Sequence, residues 1–254
     1  MRHHDPDAVP LPPHPLTCAG VLFDIDGTLT DSDPLHLAVF RTVLAEEQNK
    51  GEWEGDPSVP GGQPVSETWF RRHIAGRHNP TIVAELFPSW SVDRGAAWSA
   101  DKEARFRALA APQGALAPLP GLLSLLDALD ASGIPYVAVT NAPGLNAEAM
   151  LDGLGIRSRF VDVVLGERCV RAKPDPEPYL EGLRRLGLEN RAAECVAFED
   201  SPSGARAAVA AGLGCWGVST GQAPSALLAE GCGGVVRDFT CLPLPGGEEA
   251  GRGP

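Results

Sequence analysis

Apolar and polar positions along the chain fall into two regimes. From residue 119 onward, short unbroken apolar runs alternate with stretches whose apolar residues recur at helical spacing. PLPGLLSLLDALDASG is amphipathic and stops at Gly133, and IPYVAVT follows as a buried strand. The alternation repeats through helix APGLNAEAMLDGLG, strand FVDVVLG, helix PDPEPYLEGLRRLGL, strand CVAFED, helix SPSGARAAVAAG and strand GCWGVS. A weaker helix and strand, PSALLAEG and GGVV, close the series, and VLF at residues 21 to 23 opens it. Strands alternating with helices imply parallel pairing, right-handed crossovers and helices on both faces. The expected fold class is therefore α/β, with a doubly wound, Rossmann-like parallel sheet as its core.

Residues 33 to 117 break that rhythm. Four helical patterns follow one another without a convincing strand: PLHLAVFRTVLAEEQ, VSETWFRRHIAG, NPTIVAELF and DRGAAWSADKEARFRALA. Trp53, Trp69, Trp90 and Trp98 lie in this block, which is long enough for a small helical core of its own. It reads as an inserted helical cap domain between two parts of the core, residues 18–32 and 118–240. Within it GEWEGDPSVPGGQP is dense in glycine and proline and reads as an extended loop. Ser32 and residues 117 to 120 are the two crossings between cap and core, and the prolines of APLPG favour a defined pivot. Residues 1–17 read as a flexible lead and 241–254 as a flexible tail, from their proline, glycine and acidic content.

Charge narrows the function classes. The chain of 254 residues carries 21 basic and 33 acidic side chains, a net charge of −12. That balance argues against nucleic acid and against an anionic membrane surface, so an anionic substrate must be held by local cations. No stretch has the roughly eighteen apolar residues of a membrane span. The start has no apolar signal core and fits a transit peptide poorly, and His3 and His4 are given no role. Six cysteines without CxxC spacing read as reduced thiols in a cytoplasmic setting. The oligomeric state is left open, with a monomer favoured.

Candidate chemistry gathers at strand ends, beyond which the ligand crevice of an open parallel sheet lies. Asp24 and Asp26 end the first apolar run at i and i+2, so they are expected to leave the strand on one face. Two like charges that close need a shared proton or a cation, and a hard, oxygen-seeking ion such as Mg²⁺ is the usual solution. Thr140 and Asn141 end YVAV, Glu199 and Asp200 end VAF, and Lys173 opens a KPDP turn after the third strand. Acids for a metal, a hydroxyl, an amide and one ammonium together suit a phosphoryl group. Read singly, each has a plainer meaning: a DxDG turn, a satisfied hydroxyl, a solvated lysine, acids capping a helix.

In series these residues resemble the four motifs of the haloacid dehalogenase superfamily hydrolases of the phosphatase type: DIDGT at 24–28, TN at 140–141, Lys173 in RAKPDP, and ED at 199–200. The resemblance covers roughly residues 19 to 237. The cap is similar to that of the beta-phosphoglucomutase and phosphoglycolate phosphatase branch, and RHIAGRHNPTIVAELFP, VTNAPGLNAEAM and GERCVRAKPDPEPYL resemble plant-type broad-substrate sugar-phosphate phosphatases. It implies Asp24 as nucleophile, Asp26 as general acid and base, and Mg²⁺ held by Asp24, the Asp26 backbone carbonyl and Asp200, with Glu199 supporting a metal-bound water. Thr140, the Asn141 backbone amide and Lys173 would bind the phosphate, Gly27 would allow a tight turn, and Thr28 would donate locally. His36, Arg77 and Lys102 resemble cap positions that meet the substrate, whereas Arg71 and Arg72 read as solvated. The implied partner is a small phosphorylated metabolite such as a sugar phosphate or glycerol phosphate. A sugar phosphomutase is the alternative enzyme and a non-catalytic phosphate-binding protein the alternative of another class. A true dehalogenase would not need Asp26, Glu199 and Asp200.

Overall fold

The computed structural model describes residues 11–51, 65–75, 77–112 and 114–242. Six parallel strands form one sheet: β1 (Val21–Phe23), β2 (Tyr136–Thr140), β3 (Val163–Leu165), β4 (Val196–Glu199), β5 (Gly214–Val218) and β6 (Gly234–Val236). Their order is β3-β2-β1-β4-β5-β6, so β1 is central and the connections reverse direction between β1 and β4. Ligand crevices form at such a reversal, outside the carboxyl ends of the strands. Phe23 pairs with both Ala138 and Phe198, which brings the ends of β1, β2 and β4 to one level.

Among the described residues, four helices lie between β1 and the second crossing at residues 117 to 120: α1 (Asp33–Asn49), α2 (Glu67–His73), α3 (Asn79–Leu86) and α4 (Val92–Ala110). The core helices are α5 (Leu122–Ala131), α6 (Gly144–Gly153), α7 (Glu177–Leu186), α8 (Pro202–Ala210) and α9 (Pro224–Ala229). The i, i+2 alternation of β1 sends Val21 and Phe23 into one apolar cluster and Leu22 into the other, because helices cover both faces. Leu37, Phe40, Val43 and Leu44 make the buried face of α1 at helical spacing.

The inserted helices do not have a core of their own. Phe40, Trp69, Trp98 and Phe106 belong to the same buried cluster as Phe23 on the sheet and Ala147, Met150 and Leu151 on α6. The reason is that α4 turns Phe106 and Ala110 toward α6, so the two apolar faces bury each other. Trp53 and the glycine- and proline-rich loop at 52–64 lie outside the described residues. The two crossings are paired: Thr30 donates its hydroxyl to Ala117 O at 2.7 Å, and Leu119 N–H donates to Leu29 O at 2.9 Å.

Residues 11–17 differ from a flexible lead. Pro12 and Pro15 are buried, Leu16 packs on the main cluster, and the Trp216 indole donates to Pro13 O at 3.3 Å. Gly214 permits this docking, since a Cβ there would come within 2.8 Å of Pro13. Residues 1–10, with His3 and His4, and most of the expected tail lie outside the described residues, while Cys241 ends a short 3-10 turn. Among the described residues no helix is long and apolar enough to cross a membrane.

Candidate active site

A cavity of about 470 Å³ opens between the carboxyl ends of β1, β2 and β4 and the helices α1 to α4. Asp24, Asp26, Thr140, Asn141, Lys173 and Asp200 line its floor, and His36, Arg77 and Lys102 its roof. Glu199 lies just beneath, fully buried. β1 ends at Phe23, so the two aspartates stand on the turn that follows it; both still face the cavity, with different partners.

Lys173 organises the floor. Its ammonium donates to Asp24 Oδ1 at 2.8 Å, to Val139 O at 2.7 Å and to Glu199 Oε1 at 2.5 Å, which uses all three protons. Tyr179 OH also donates to Glu199 Oε1, at 2.7 Å, and Ser201 Oγ donates to Glu199 Oε2 at 3.1 Å while capping α8 through the Gly204 N–H. Gly204 has to lack a side chain, because a Cβ would lie 1.9 Å from the Glu199 carboxylate. Burial pushes Asp24 up to about 7, with Lys173 pulling it back and Glu199 and Asp26 adding to the rise. Burial works against the charge on Lys173, yet Asp24 and Glu199 outweigh it and hold the ammonium above its ordinary pKa. The two shifts have different main causes, burial for Asp24 and the paired carboxylates for Lys173, and the neighbouring acids add to both.

The floor fits a divalent ion. Carboxylate oxygens of Asp24, Glu199 and Asp200 lie within 4.8 Å of one another. Glu199 already has a donor on each oxygen, which leaves Asp24 and Asp200 as the carboxylates of this cluster with oxygens free to hold an ion. Asp200 has no hydrogen bond or ion pair among the described residues, and burial followed by the charges of Asp24 and Glu199 raises its pKa well above the carboxylate range. Among the described residues no backbone N–H donates to the Asp26 carbonyl. Such an all-oxygen, anionic set suits Mg²⁺. Gly27 makes the approach possible, with φ of 73° and Asp200 Oδ2 only 2.1 Å from where its Cβ would stand.

Thr140 Oγ1 accepts from Ala142 N–H at 2.9 Å, which leaves its own proton for another acceptor. The Asn141 side chain is occupied: its Oδ1 accepts the Lys173 N–H at 3.1 Å and its Nδ2 donates to Lys173 O at 3.0 Å. It fixes the β2 loop beside the cis Lys173–Pro174 bond. Among the described residues the buried Thr28 Oγ1 has no partner, unlike the expected local donor; Thr220 instead steadies the turn by donating to Gly27 O at 2.7 Å.

In the roof, Ser32 Oγ donates to Asp26 Oδ1 at 2.5 Å and His36 Nε2 stands 3.5 Å from the same oxygen, its ring stacked on Phe106 at 4.1 Å. Burial favours the neutral form of Asp26, but His36, Ser32 and Lys102 together hold its carboxyl below the usual range. Lys102, 3% exposed, is 2.5 Å from Glu103 Oε1 and donates to Asn79 Oδ1 at 3.0 Å. Asn79 Nδ2 donates to Glu103 Oε1 and Asn146 Nδ2 to Glu103 Oε2, both at 2.6 Å. Arg77 lines the cavity but is paired with Glu85 at 2.5 Å and with His73 O at 2.8 Å. Asn79, Glu103, Asn146, Tyr179 and His78 escaped the sequence reading; an Asn-Pro helix start and a KE pair were the visible traces. A second cavity of about 570 Å³, beside β3 and α7, shares no residue with this one, and its Glu181 and Asp162 are paired with Arg184 and Arg185.

The chain is similar to known proteins along most of its length. Residues 18–212 match the family model of haloacid dehalogenase-like hydrolases. A phosphoglycolate phosphatase of Rhodospirillum rubrum is 34% identical over 92% of this chain and 95% of its own length. Hexitol phosphatase A of Escherichia coli is 33% identical over 78% of this chain and 81% of its own. A crystal structure of a CbbY variant from Rhodobacter sphaeroides in complex with xylulose-1,5-bisphosphate superposes with a TM-score of 0.65 at 26% identity, covering 79% of this chain and 86% of that one. With four ordered motifs at the strand ends and these likenesses along most of its length, the chain is a phosphatase of the haloacid dehalogenase-like hydrolase family.

Proposed function

We propose that the protein is a Mg²⁺-dependent phosphatase that hydrolyses small phosphomonoesters, sugar phosphates and glycerol phosphates among them, through an aspartyl phosphate on Asp24. The observation that carries this reading is the asymmetry of the floor. Asp24 Oδ1 is held by Lys173, and among the described residues its other oxygen has no donor and Asp200 has no partner. A carboxylate fixed at one oxygen is an oriented nucleophile at the other.

Asp24 attacks phosphorus, the ester P–O bond breaks, and Asp26 gives its proton to the departing alkoxide. Asp26 is held below the usual carboxylate range in the ligand-free pocket; an arriving phosphate dianion raises its proton affinity, so it takes a proton from solvent as the substrate binds and then serves as the acid. Water then attacks the aspartyl phosphate, Asp26 takes the water's proton, and Asp24 is regenerated as inorganic phosphate leaves. Mg²⁺ held by Asp24, Asp200 and the Asp26 carbonyl would supply charge that offsets the dianion and the acids. Thr140, the Asn141 backbone amide and the charge of Lys173 act on the other phosphate oxygens. Because its donors are spent, Lys173 serves chiefly to position Asp24.

Residues 33–117 act as the cap that shields this chemistry from bulk water, with the paired crossings as its pivot. The phosphoglycolate and hexitol phosphatases among the relatives support a small metabolite as substrate. Six free cysteines support a reducing, cytoplasmic setting. The test is free-phosphate release across phosphorylated metabolites with Mg²⁺ and then with excess EDTA. Turnover that stops with EDTA and in Asp24→Asn is expected. Metal-independent turnover, or full activity in that variant, sinks the reading, and isomer formation without free phosphate would make the enzyme a mutase.

A further inference from the structure

The cavity roof is built around cations whose charge is already spent. Lys102 is buried against Glu103 at 2.5 Å, and Asn79 locks the pair by accepting from one and donating to the other. Glu103 is held from behind by Asn146 of α6, which itself accepts from Arg107 at 2.8 Å. Burial opposes the ionised form of Glu103, but Lys102 and the Asn79 amide outweigh it and keep the carboxyl below its ordinary range. The other permanent cations of the lining are likewise matched: Arg77 by Glu85, and Lys173 by Asp24 and Glu199. Among the described residues, what remains of the lining holds no further lysine or arginine: the acids Asp31, Asp33 and Glu167, the hydroxyl of Ser203, and the apolar Phe70 and Ile74.

We propose that Glu103 determines specificity: by neutralising Lys102 it makes the roof accept the uncharged, hydroxyl-bearing end of a phosphomonoester and reject an end bearing a carboxylate or second phosphate. The proposal rests on the phosphatase reading of the Asp24 site and adds the class of substrate. A hydroxyl exchanges hydrogen bonds with the Lys102–Asn79–Glu103 ring at little electrostatic cost. An anion gains Lys102 only by approaching Glu103, and a like charge placed against a competitor is one way specificity is made. The bisphosphorylated species that a mutase has to hold meets the same obstacle.

The matched pair glycerol 3-phosphate and 3-phosphoglycerate tests this, since they differ only in a hydroxymethyl group and a carboxylate. The full-length chain with Mg²⁺ is expected to favour glycerol 3-phosphate in kcat/KM by about tenfold or more, the scale of one partly screened charge at short range. Glu103→Gln should move that ratio toward 3-phosphoglycerate by about tenfold, mostly through KM, by freeing the charge of Lys102. The double variant Lys102→Met, Glu103→Gln should lose the shift. Equal use of the two esters by the unmodified chain overturns the proposal, and that comparison needs no variant to fold. A Glu103→Gln variant that slows both esters alike also overturns it and reduces Glu103 to a brace between α4 and α6. If neither these esters nor p-nitrophenyl phosphate releases phosphate, the phosphatase reading fails and takes this one with it.

Discussion

Replacing Lys173 by methionine tests the floor of the cavity most directly. The side chain is 2% exposed and the carboxylates it serves 10% and 0%, so both charges of each pair sit out of water. Removing one partner of a buried pair leaves an uncompensated charge and costs about 3–5 kcal/mol. At roughly 2–4 °C per kcal/mol for a chain of this size, the melting temperature should fall by about 10 °C. The double variant Lys173→Met, Glu199→Gln should recover part of the loss, because a neutral amide can still accept from Tyr179, and neutral replacements of buried pairs are close to neutral in stability. Both variants should be inactive. The measurement is urea and thermal unfolding in EDTA, which removes metal binding from the comparison, with near-ultraviolet circular dichroism to check packing. A Lys173→Met protein as stable as the unmodified chain, or a double variant less stable than the single one, would refute the buried Asp24–Lys173–Glu199 arrangement.

Asp200→Asn should raise stability in EDTA, since it removes a buried charge repelled by Asp24 and Glu199, and should abolish any rise in melting temperature on adding Mg²⁺; a thermal shift that survives the change would place the ion elsewhere. Gly204→Ala drives a methyl into the Glu199 carboxylate and should cost about 1–3 kcal/mol in urea unfolding, whereas an unperturbed variant would mean Glu199 is free to move. Glu103 is held below its ordinary pKa, so its contribution is complete above the unfolded value near 4.3 and is lost as pH falls through the lower folded value. The stability gap between the unmodified chain and Glu103→Gln should accordingly shrink on acidification, and a gap that widens would contradict that sign. Trp216→Phe should loosen residues 11–17 and cost about 0.5–1.5 kcal/mol, with faster amide exchange at Leu16 as the readout.

What could be read in advance was whatever depends on neighbours in the chain. The strands and helices after residue 119 follow from apolar periodicity, and the acids and hydroxyls at strand ends stand out because solvent-facing chemistry rarely ends an apolar run. The structure brings Asp24, Asp26, Thr140, Asn141, Lys173 and Asp200 to one cavity. Hidden were the contacts that join distant segments. Asn79, Glu103 and Asn146 meet only in three dimensions, and nothing local marks Tyr179 as the donor to Glu199. Arg77 resembled a cap position that meets the substrate; it does line the cavity, but nothing local marks its pairing with Glu85 of α3. Proline content suggested a loose lead, yet Pro12, Pro15 and Leu16 have an apolar surface to cover.

The shared cluster that runs from Phe23 through Met150 to Phe106 and Phe40 bears on how such a protein changes over generations. The helices over the cavity are cemented to α6, so trading residues 33–117 for those of a cousin would strand Ala147, Met150 and Leu151 against ill-fitting partners. New preferences in this lineage are therefore expected to arise by paired drift of α4 and α6, one neighbour answering another, and wholesale exchange of the inserted segment should yield insoluble hybrids unless α6 travels with it.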